Sequence, residues 1–160
     1  MLPRPQSTAS IEIRVALPSD LPEMTRIRTS VRENHSSVEE MAARGITPVR
    51  IIEMMATNSR TWLALVDGVP AGFSMSIAPK ATVFAVFIHP DYEGRGIGKL
   101  LLAEAESWLF EQGCDEIWLD TGQEPEIRAH GFYLTQGWAL KGPGDPGELR
   151  YIKRRPMMER

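Results

Sequence analysis

The pattern of hydrophobic and polar positions changes period along the chain, and each change predicts a different kind of element. Residues 11–17, IEIRVAL, alternate apolar and polar side chains, as a strand with one solvated face does. Residues 18–34 are predicted to form a helix. Pro22 favours a helix start, and the apolar side chains that follow it recur at helical spacing. Two shorter segments with helical spacing follow, SVEEMAARG and TPVRIIEMMATN.

The middle of the chain has the period of strands. Residues 61–78 read as two strands around Asp67-Gly68, a dipeptide typical of tight hairpins. Residues 81–88, ATVFAVFI, are apolar nearly throughout, which predicts a central strand covered on both faces. The remaining predicted elements are a helix over 96–112, a strand over 115–121, a helix over 124–138 and two final strands around a Gly/Pro loop.

The order of these elements predicts a mixed fold of the α/β (α+β) class. The strand, helix and strand over 81–121 are expected to form one parallel β-α-β crossover. The three consecutive strands before that helix are expected to form an antiparallel meander. We therefore predict a mixed, largely antiparallel central sheet flanked by helices. It forms a single domain over 11–154, with a disordered leader at 1–10 and a tail at 155–160.

Composition and charge narrow the function classes. A chain of 160 residues with 42% apolar and 24% charged residues is ordinary for one globular domain. The net charge of −3 and the pI near 5.7 argue against nucleic acid as a partner, since such proteins carry a basic surface. No apolar run approaches the ~20 residues that span a bilayer, and the first residues lack the apolar core of a signal peptide. We therefore expect no membrane association and a cytoplasmic location.

The cysteine and histidine content argues against a structural metal. Cys114 is the single cysteine, which excludes an internal disulfide and a multi-cysteine zinc site. His35, His89 and His130 are scattered and lack the spacing of metal ligands. We therefore predict no metal, and we expect Cys114 to be a small buried hydrophobe at the start of a strand.

Candidate chemistry concentrates in the glycine-rich stretch EGRGIGK, residues 93–99, between a predicted strand and a predicted helix. The stretch fails the Walker pattern because Gly94 and Gly98 lie one residue too close, and it fails the dinucleotide pattern because Lys99 occupies the third glycine position. Glycines nevertheless let the backbone approach a ligand, and the first N–H groups of a helix lack intrahelical partners. Together they predict an anion site suited to a diphosphate, with Arg95 and Lys99 adding positive charge.

Two segments resemble motifs of the GNAT acetyltransferase superfamily. Residues 93–98 are similar to its acyl-CoA motif, which has Gln or Arg, two variable residues, Gly, one variable residue, and Gly or Ala. Ala129, Tyr133 and Gly137-Trp138 are similar to a second family segment with the same spacing of Ala, Tyr, Gly and an aromatic residue. The order of predicted elements agrees with the family over almost the whole predicted domain.

Two positions depart from the family pattern. Glu93 stands where Gln or Arg is usual, and Glu126 stands where Asn is frequent. An acidic side chain at 93 does not favour a polyanionic ligand, so we assign binding to the backbone amides of residues 94–99.

The resemblance implies a co-substrate and a reaction. It implies that acetyl-CoA lies between the two parallel strands and that its acetyl group passes directly to a primary amine in a ternary complex. It also implies that Tyr133 is the general acid that protonates the leaving thiolate, because a phenol is protonated at neutral pH. The implied acyl-CoA-binding residues are Val86, Phe87 and Ile88 for the pantetheine amides, and Gly94, Arg95, Gly96, Ile97, Gly98 and Lys99 for the pyrophosphate.

The base, the acceptor and the assembly state stay open. Glu33 is the first candidate for the base, with Asp120, His35, His89 or a water molecule as alternatives. The implied acceptor is a small-molecule amine or a peptide or protein amine, and a homodimer is compatible with the family. A non-catalytic acyl-CoA sensor or interaction module is the alternative to an enzyme, and an acyl-CoA thioesterase is the third interpretation.

Overall fold

Seven strands form one sheet in the computed structural model, which describes residues 10–32, 35–124 and 127–157. The strands are β1 Ile11–Val15, β2 Ser59–Val66, β3 Val69–Ile77, β4 Thr82–Ile88, β5 Glu116–Gly122, β6 Ala139–Pro143 and β7 Glu148–Arg154. Their spatial order is β1-β2-β3-β4-β5-β7-β6. Every neighbouring pair is antiparallel except β4 and β5, which are parallel. The predicted fold class and the central place of β4 are confirmed.

Five α-helices flank this sheet in the described part of the chain. They are α1 Leu21–Ser30, α2 Val38–Ala43, α3 Pro48–Met55, α4 Ile97–Glu111 and α5 Ala129–Thr135. The start of α2 is a capping box, in which Ser37 and Glu40 each accept a hydrogen bond from the other's backbone N–H. The Thr47 hydroxyl caps α3 by accepting from the Arg50 N–H at 3.2 Å. Within the described ranges, no helix is long and apolar enough to cross a membrane.

The hairpin between β2 and β3 forms where the dipeptide signal predicts it. Asp67 and Gly68 have φ values of 49° and 82°, so both central residues of the turn are left-handed. That combination matches the right-handed twist of the flanking strands, and only a few residue types tolerate it. The predicted meander of β2, β3 and β4 is confirmed.

The sheet separates two apolar clusters. Trp62 and Ala64 of β2 belong to the cluster that contains the buried face of α4. Leu63, between them, belongs to the cluster that contains Met24 and Ile27 of α1. Successive side chains of a strand point to opposite sides, so β2 contributes to both clusters. We call the two sides of the sheet the α4 face and the α1 face.

The central parallel strands pair only where they begin. Thr82 and Trp118 are the registered pair between β4 and β5. The Thr82 hydroxyl donates to the Trp118 carbonyl at 2.8 Å, and the Trp118 N–H donates to the Ala81 carbonyl at 3.1 Å. Beyond this point the two strands separate, and no further ladder pair joins them among the described residues. We call the resulting gap the opening.

A bulge in β4 lies beside the opening. Met75 of β3 pairs with Ala85, but the next residue, Ser76, pairs with Val83, so Phe84 is an extra residue without a partner on β3. A bulge of this kind bends the strand and re-aims its side chains. Val83 accordingly belongs to the cluster on the α4 face, whereas Ala85 belongs to the cluster on the α1 face.

Two predicted helices differ from the structure at their ends. The helix predicted over 18–34 is α1 preceded by a short 3₁₀ turn at Pro18–Asp20, and residues 33 and 34 lie outside the described ranges. The predicted leader lies outside them as well, apart from Ser10, whose N–H donates to the Asp67 carboxylate. The domain boundaries therefore stay a prediction.

The helix predicted over 124–138 is shorter at both ends. Gln123 donates its N–H to the Gly147 carbonyl, which holds the chain extended past β5 and delays α5 to Ala129; residues 125 and 126 lie outside the described ranges. At the other end, the N–H groups of Gly137 and Trp138 bond back to the carbonyls of Leu134 and Tyr133. This Schellman arrangement ends the helix at Thr135 and uses the left-handed φ of Gly137, 91°.

A buried polar network joins α4 to the last two strands. The Glu106 carboxylate accepts from Trp138 Nε1 at 2.9 Å and from Lys153 Nζ at 2.6 Å. Lys153 also donates to the Gln136 carbonyl at 2.9 Å. Each polar group of this network is buried or half-buried, so each depends on the others for its hydrogen bonds.

Replacing Glu106 by alanine is expected to destabilise the fold. The change leaves the Lys153 ammonium and the Trp138 N–H without their partner, at a cost of about 3 kcal/mol in the free energy of unfolding. Glu104→Ala, on the exposed face of the same helix, is the matched control and changes stability by less than about 0.5 kcal/mol. Urea unfolding of both variants tests the expectation, and equal stabilities would contradict it.

Candidate active site

A first cavity of about 490 Å³ begins at the opening and runs along β4 to the start of α4. The predicted site residues that line it are Val86, Phe87, Ile88, Gly94, Gly96, Ile97, Gly98, Lys99 and Tyr133. Arg95 does not line it, and the Arg95 guanidinium carbon lies 5.2 Å from the centre of the Tyr92 ring. The structure thus brings Tyr133 into the same cavity as lining residues from the segment 86–99, which lies at least 34 positions earlier in the sequence.

The turn before α4 leaves its first N–H groups facing this cavity. Gly94 and Gly96 have φ values of 77° and 80°, which are left-handed and favour glycine. Gly96 is the N-cap residue of α4, and no side chain caps the helix there. The N–H groups of the first helical turn therefore lack intrahelical partners, which together with the helix dipole makes a site for an anion.

Glu93, the departure from the family motif, is held by an ion pair. Its carboxylate lies 2.7 Å from the guanidinium of Arg128, the residue just before α5, and both residues line the first cavity. The pair balances the negative charge of Glu93 beside the glycine turn. The anion site therefore does not face an uncompensated carboxylate.

Tyr133 lies on α5 with its ring buried in an aromatic cluster. The ring centre lies 5.4 Å from that of Phe132, 6.1 Å from that of Trp138 and 5.8 Å from that of Tyr151. Burial, with a smaller contribution from Tyr151, raises the pKa of Tyr133 well above the ordinary value for a phenol. Its hydroxyl forms no hydrogen bond within the described part of the chain. The Tyr133 phenol is therefore protonated, and its O–H remains available as a hydrogen-bond or proton donor.

A second cavity of about 830 Å³ lies on the α1 face of the sheet, between helices α1 to α3 and the loop that joins β6 to β7. The residues that line both cavities are Val83, Phe84, Ala85 and Phe87 of β4 and Asp120 of β5. The two cavities therefore meet at the opening, so that ligands on opposite faces of the sheet can approach each other there.

Three carboxylates lie on the strand side of the second cavity. Oxygen atoms of Asp120, Asp145 and Glu148 lie within 4.8 Å of one another. Asp120 receives two hydrogen bonds from Arg150, at 2.8 and 3.0 Å, and a third from the Asp145 N–H at 3.2 Å. Arg150 in turn lies over the ring of Trp118, 3.9 Å from its centre.

Glu148 differs from Asp120 in its surroundings. Burial, and then the charges of Asp120 and Asp145, raise the pKa of Glu148 above the usual range of a carboxyl group. Arg44 and Arg150 oppose this effect without cancelling it. A carboxylate with a raised pKa is a better proton acceptor than one held by a bidentate arginine.

The other base candidates fall in different places. Glu33 lies outside the described residues. His35 and His89 line neither cavity, and His89 Nδ1 accepts from the Asp91 N–H at 3.1 Å, which fixes the turn after β4. Sequence reasoning missed Glu148, because its proximity to Asp120 depends on the register that sets Arg150 opposite Asp120.

The carboxylate spacing also bears on the expectation of no metal. Three oxygens within 4.8 Å can surround a cation, although Arg150 already neutralises Asp120 from one side. The prediction that the chain uses no metal therefore stays a prediction.

A sheet that opens at its centre, with a cavity on each face and a helix N-terminus at one end, defines an α/β protein suited to an elongated ligand with an anionic end. The chain belongs to the acetyltransferase (GNAT) family: the family model matches residues 22–138, which is most of the chain. The protein is an acetyltransferase, and the resemblance seen in its motifs is confirmed.

Known proteins agree with this membership. Aminoglycoside N(6')-acetyltransferase type 1 of Salmonella typhimurium is 27% identical over 99 residues, 52% of this chain and 68% of its own length. Streptothricin acetyltransferase of Streptomyces lavendulae is 30% identical over 92 residues, 53% of this chain and 47% of its own. The crystal structure of the PaiA N-acetyltransferase from Thermoplasma acidophilum in complex with coenzyme A superposes with a TM-score of 0.74, at 18% identity, over 91% of this chain and 99% of that one.

Proposed function

We propose that the protein transfers an acetyl group from acetyl-CoA directly to a primary amine in a ternary complex. The observation that carries this proposal is the opening, where a cavity that ends at a helix N-terminus meets a second cavity on the other face of the sheet. A thioester donor and an amine acceptor that occupy the two cavities have their reacting atoms side by side. Such positioning is itself a large part of catalysis.

The donor is proposed to lie in the first cavity with its diphosphate on the first turn of α4. The amides from Gly94 to Lys99 supply the hydrogen bonds, and Lys99 adds positive charge. The backbone of Val86, Phe87 and Ile88 faces the opening without a partner on β5 among the described residues, so it is free to bond the pantetheine amides. This mode of binding resembles the addition of a strand to a sheet edge.

The chemistry follows from this placement. The neutral amine attacks the thioester carbonyl, and negative charge develops on the carbonyl oxygen. Backbone N–H groups of β4 beside the Phe84 bulge are the proposed donors to that oxygen. The intermediate collapses by breaking the C–S bond, and Tyr133 donates its proton to the departing sulfur, which leaves as free thiol.

A covalent acetyl-enzyme is not needed for this route. Cys114, the single cysteine, lines neither cavity, and its thiol lies 3.8 Å from the Ala78 carbonyl. Burial raises the pKa of the Cys114 thiol, which disfavours the reactive thiolate. Cys114 is half-buried in the loop before β5, whereas the sequence predicted a buried residue at the start of a strand.

Glu148 is the proposed acceptor for the proton that the amine loses. It lines the second cavity within 4.8 Å of Asp120, which lines both. Asp120 is bound on both carboxylate oxygens by Arg150, so it is the poorer base and serves to hold the cluster in place.

A screen of amines with acetyl-CoA tests the function as a whole. Thiol release that requires an amine, with the acetylated product identified by mass spectrometry, supports the proposal. Thiol release without any amine would favour a thioesterase, and binding of acetyl-CoA without thiol release would favour a sensor.

Gly96→Asp is expected to weaken CoA binding at least about tenfold, because it brings a carboxylate to the anion site. Gly113→Asp is the matched control, since Gly113 follows the other end of the same helix with a left-handed φ of 97°. Calorimetric titration with CoA compares the two variants. Equal affinities would refute the proposed place of the diphosphate.

Tyr133→Phe is expected to lower the rate of thiol release at least about tenfold, with CoA affinity unchanged, because it removes the acid and keeps the ring. Tyr151→Phe, in the same aromatic cluster but outside the first cavity, is the control. Because the raised pKa of Tyr133 keeps the phenol protonated through neutral and mildly alkaline pH, the rate should show no alkaline loss from this group. A full rate in Tyr133→Phe would exclude the acid role.

Glu148→Gln is expected to slow acetyl transfer about 10- to 100-fold and to remove an acidic limb from the pH profile. The carboxylate accepts a proton only when ionised, so activity of the unaltered protein falls as pH drops through the raised pKa of Glu148. Glu116→Gln, a carboxylate of β5 paired with Arg154 outside both cavities, is the control. Steady-state pH profiles of Glu148→Gln and of the unaltered protein with the same acceptor separate the titration of Glu148 from that of the amine, which both proteins share. An unchanged profile in Glu148→Gln would exclude the role as base.

A further inference from the structure

Arg28 has a buried guanidinium nitrogen without a hydrogen-bond partner among the described residues, and the carboxylates of Glu148 and Glu40 act on its charge only from beyond ion-pair distance. It lies on α1 and lines the second cavity. Its Nη1 atom is shielded from solvent and has no hydrogen-bond partner among the described residues. Other arginines behave differently, and those with a carboxylate partner include Arg14, Arg26, Arg50, Arg150 and Arg154.

The surroundings of Arg28 hold its guanidinium against the opening. The guanidinium carbon lies 4.2 Å from the centre of the Phe87 ring, and Phe87 lines both cavities. This stacking fixes the plane of the guanidinium and leaves its N–H groups to bond within that plane. The free donors of Arg28 therefore lie beside the place where an acceptor has to bind.

Burial of an unpaired cation is unfavourable, and the structure shows its effect. Burial, and then the neighbouring charge of Arg44, lower the pKa of Arg28 to about 10, and the charges of Glu148 and Glu40 oppose this effect without cancelling it. The group still remains charged at neutral pH. An anion bonded to the guanidinium would offset the cost of burial, as it does for buried arginines generally.

The second cavity therefore has two walls of opposite charge. Arg28 and Arg44 lie on the helical side, and Asp145 and Glu148 lie on the strand side with Asp120. Arg44 donates to the Ser36 hydroxyl at 3.0 Å, and it acts on the described carboxylates Glu40 and Glu148 only from beyond ion-pair distance. A ligand with one positive and one negative group matches both walls.

We propose that the acetyl acceptor is a primary amine that also carries an oxyanion, a carboxylate or a phosphate, and that Arg28 binds this oxyanion. The amine then lies toward Glu148 and the opening. The transfer of acetyl to this amine rests on the proposed function, whereas the binding of the oxyanion by Arg28 does not.

The same charges argue against a polycationic acceptor. Arg50 and Lys80 line the second cavity in addition to Arg28 and Arg44, and Asp120 is already paired with Arg150. A second positive group on the acceptor would meet these cations at close range. The names of the aminoglycoside and streptothricin acetyltransferases therefore do not decide the acceptor of this chain.

Matched pairs of amines test the proposal. L-phenylalanine is compared with its amide, and O-phosphoethanolamine with ethanolamine, while spermidine and kanamycin represent polycations. For each we measure thiol release from acetyl-CoA and, separately, calorimetric binding to the complex of the protein with CoA. The anionic member of at least one pair is expected to bind and react about 10- to 100-fold better than its partner, as a hydrogen-bonded charge pair allows. A difference within the phenylalanine pair indicates a site for a carboxylate, and a difference within the ethanolamine pair indicates a site for a phosphate.

Arg28→Met removes the charge and keeps an apolar side chain of comparable length. It is expected to abolish the preference by weakening the binding and slowing the acetylation of the anionic amine alone, with CoA affinity unchanged. Arg28→Lys is expected to retain part of the preference. Arg26→Met is the matched control, because Arg26 lies on the exposed side of the same helix, paired with Glu23, and should leave the preference intact.

Several outcomes would overturn the proposal. These are a preference for the neutral or polycationic amines, an equal effect of Arg28→Met on both members of each pair, or no binding by any anionic amine. If Arg28→Met also loses CoA binding, the fold is perturbed and the comparison of Arg28→Lys with the unaltered protein decides. Tight binding of an anionic amine without thiol release would support the oxyanion site and count against the acetyl transfer instead.

Discussion

The separation of β4 and β5 is the constraint on which the rest of the structure depends. A parallel pair that stayed bonded along its whole length would close the route between the two faces of the sheet. Here a single registered pair, Thr82 with Trp118, ties the strands together at one end. The ladders from β3 to β4 and from β5 to β7 hold each strand on its other side, so the gap is maintained by the sheet itself. The bulge at Phe84 turns the edge of β4 within this gap.

Charge is distributed along the route through this gap in a consistent order. The N-terminus of α4 provides partial positive charge at the outer end of the first cavity, and the Glu93–Arg128 pair neutralises the one acid of the glycine motif. Tyr133 stays neutral and protonated in the wall of the first cavity. The second cavity then offers carboxylates on its strand side and arginines on its helical side. This order of charges suits an anionic acetyl donor in the first cavity. It also suits an acceptor with one positive and one negative group in the second cavity.

Much of the fold could be predicted from the sequence because its signals are local. Alternation in β1, the Asp67-Gly68 turn and the glycine that opens α4 each depend on neighbours in the chain. The acyl-CoA residues and Tyr133 could be named because two motifs resemble a known family. The bulge at Phe84 and the separation of the central strands could not, since they arise from pairing between distant segments. Glu148 was missed because its proximity to Asp120 depends on the pairing of β5 with β7, and Arg28 was missed because its unpartnered nitrogen depends on the packing around α1.

A crystal structure with CoA bound tests the central claim most directly. The account predicts that the diphosphate oxygens lie within hydrogen-bonding distance of the N–H groups of residues 96–99, and that the thiol ends at the opening beside Tyr133. Phosphates bound elsewhere, with the first turn of α4 left without them and the thiol away from the opening, would contradict it.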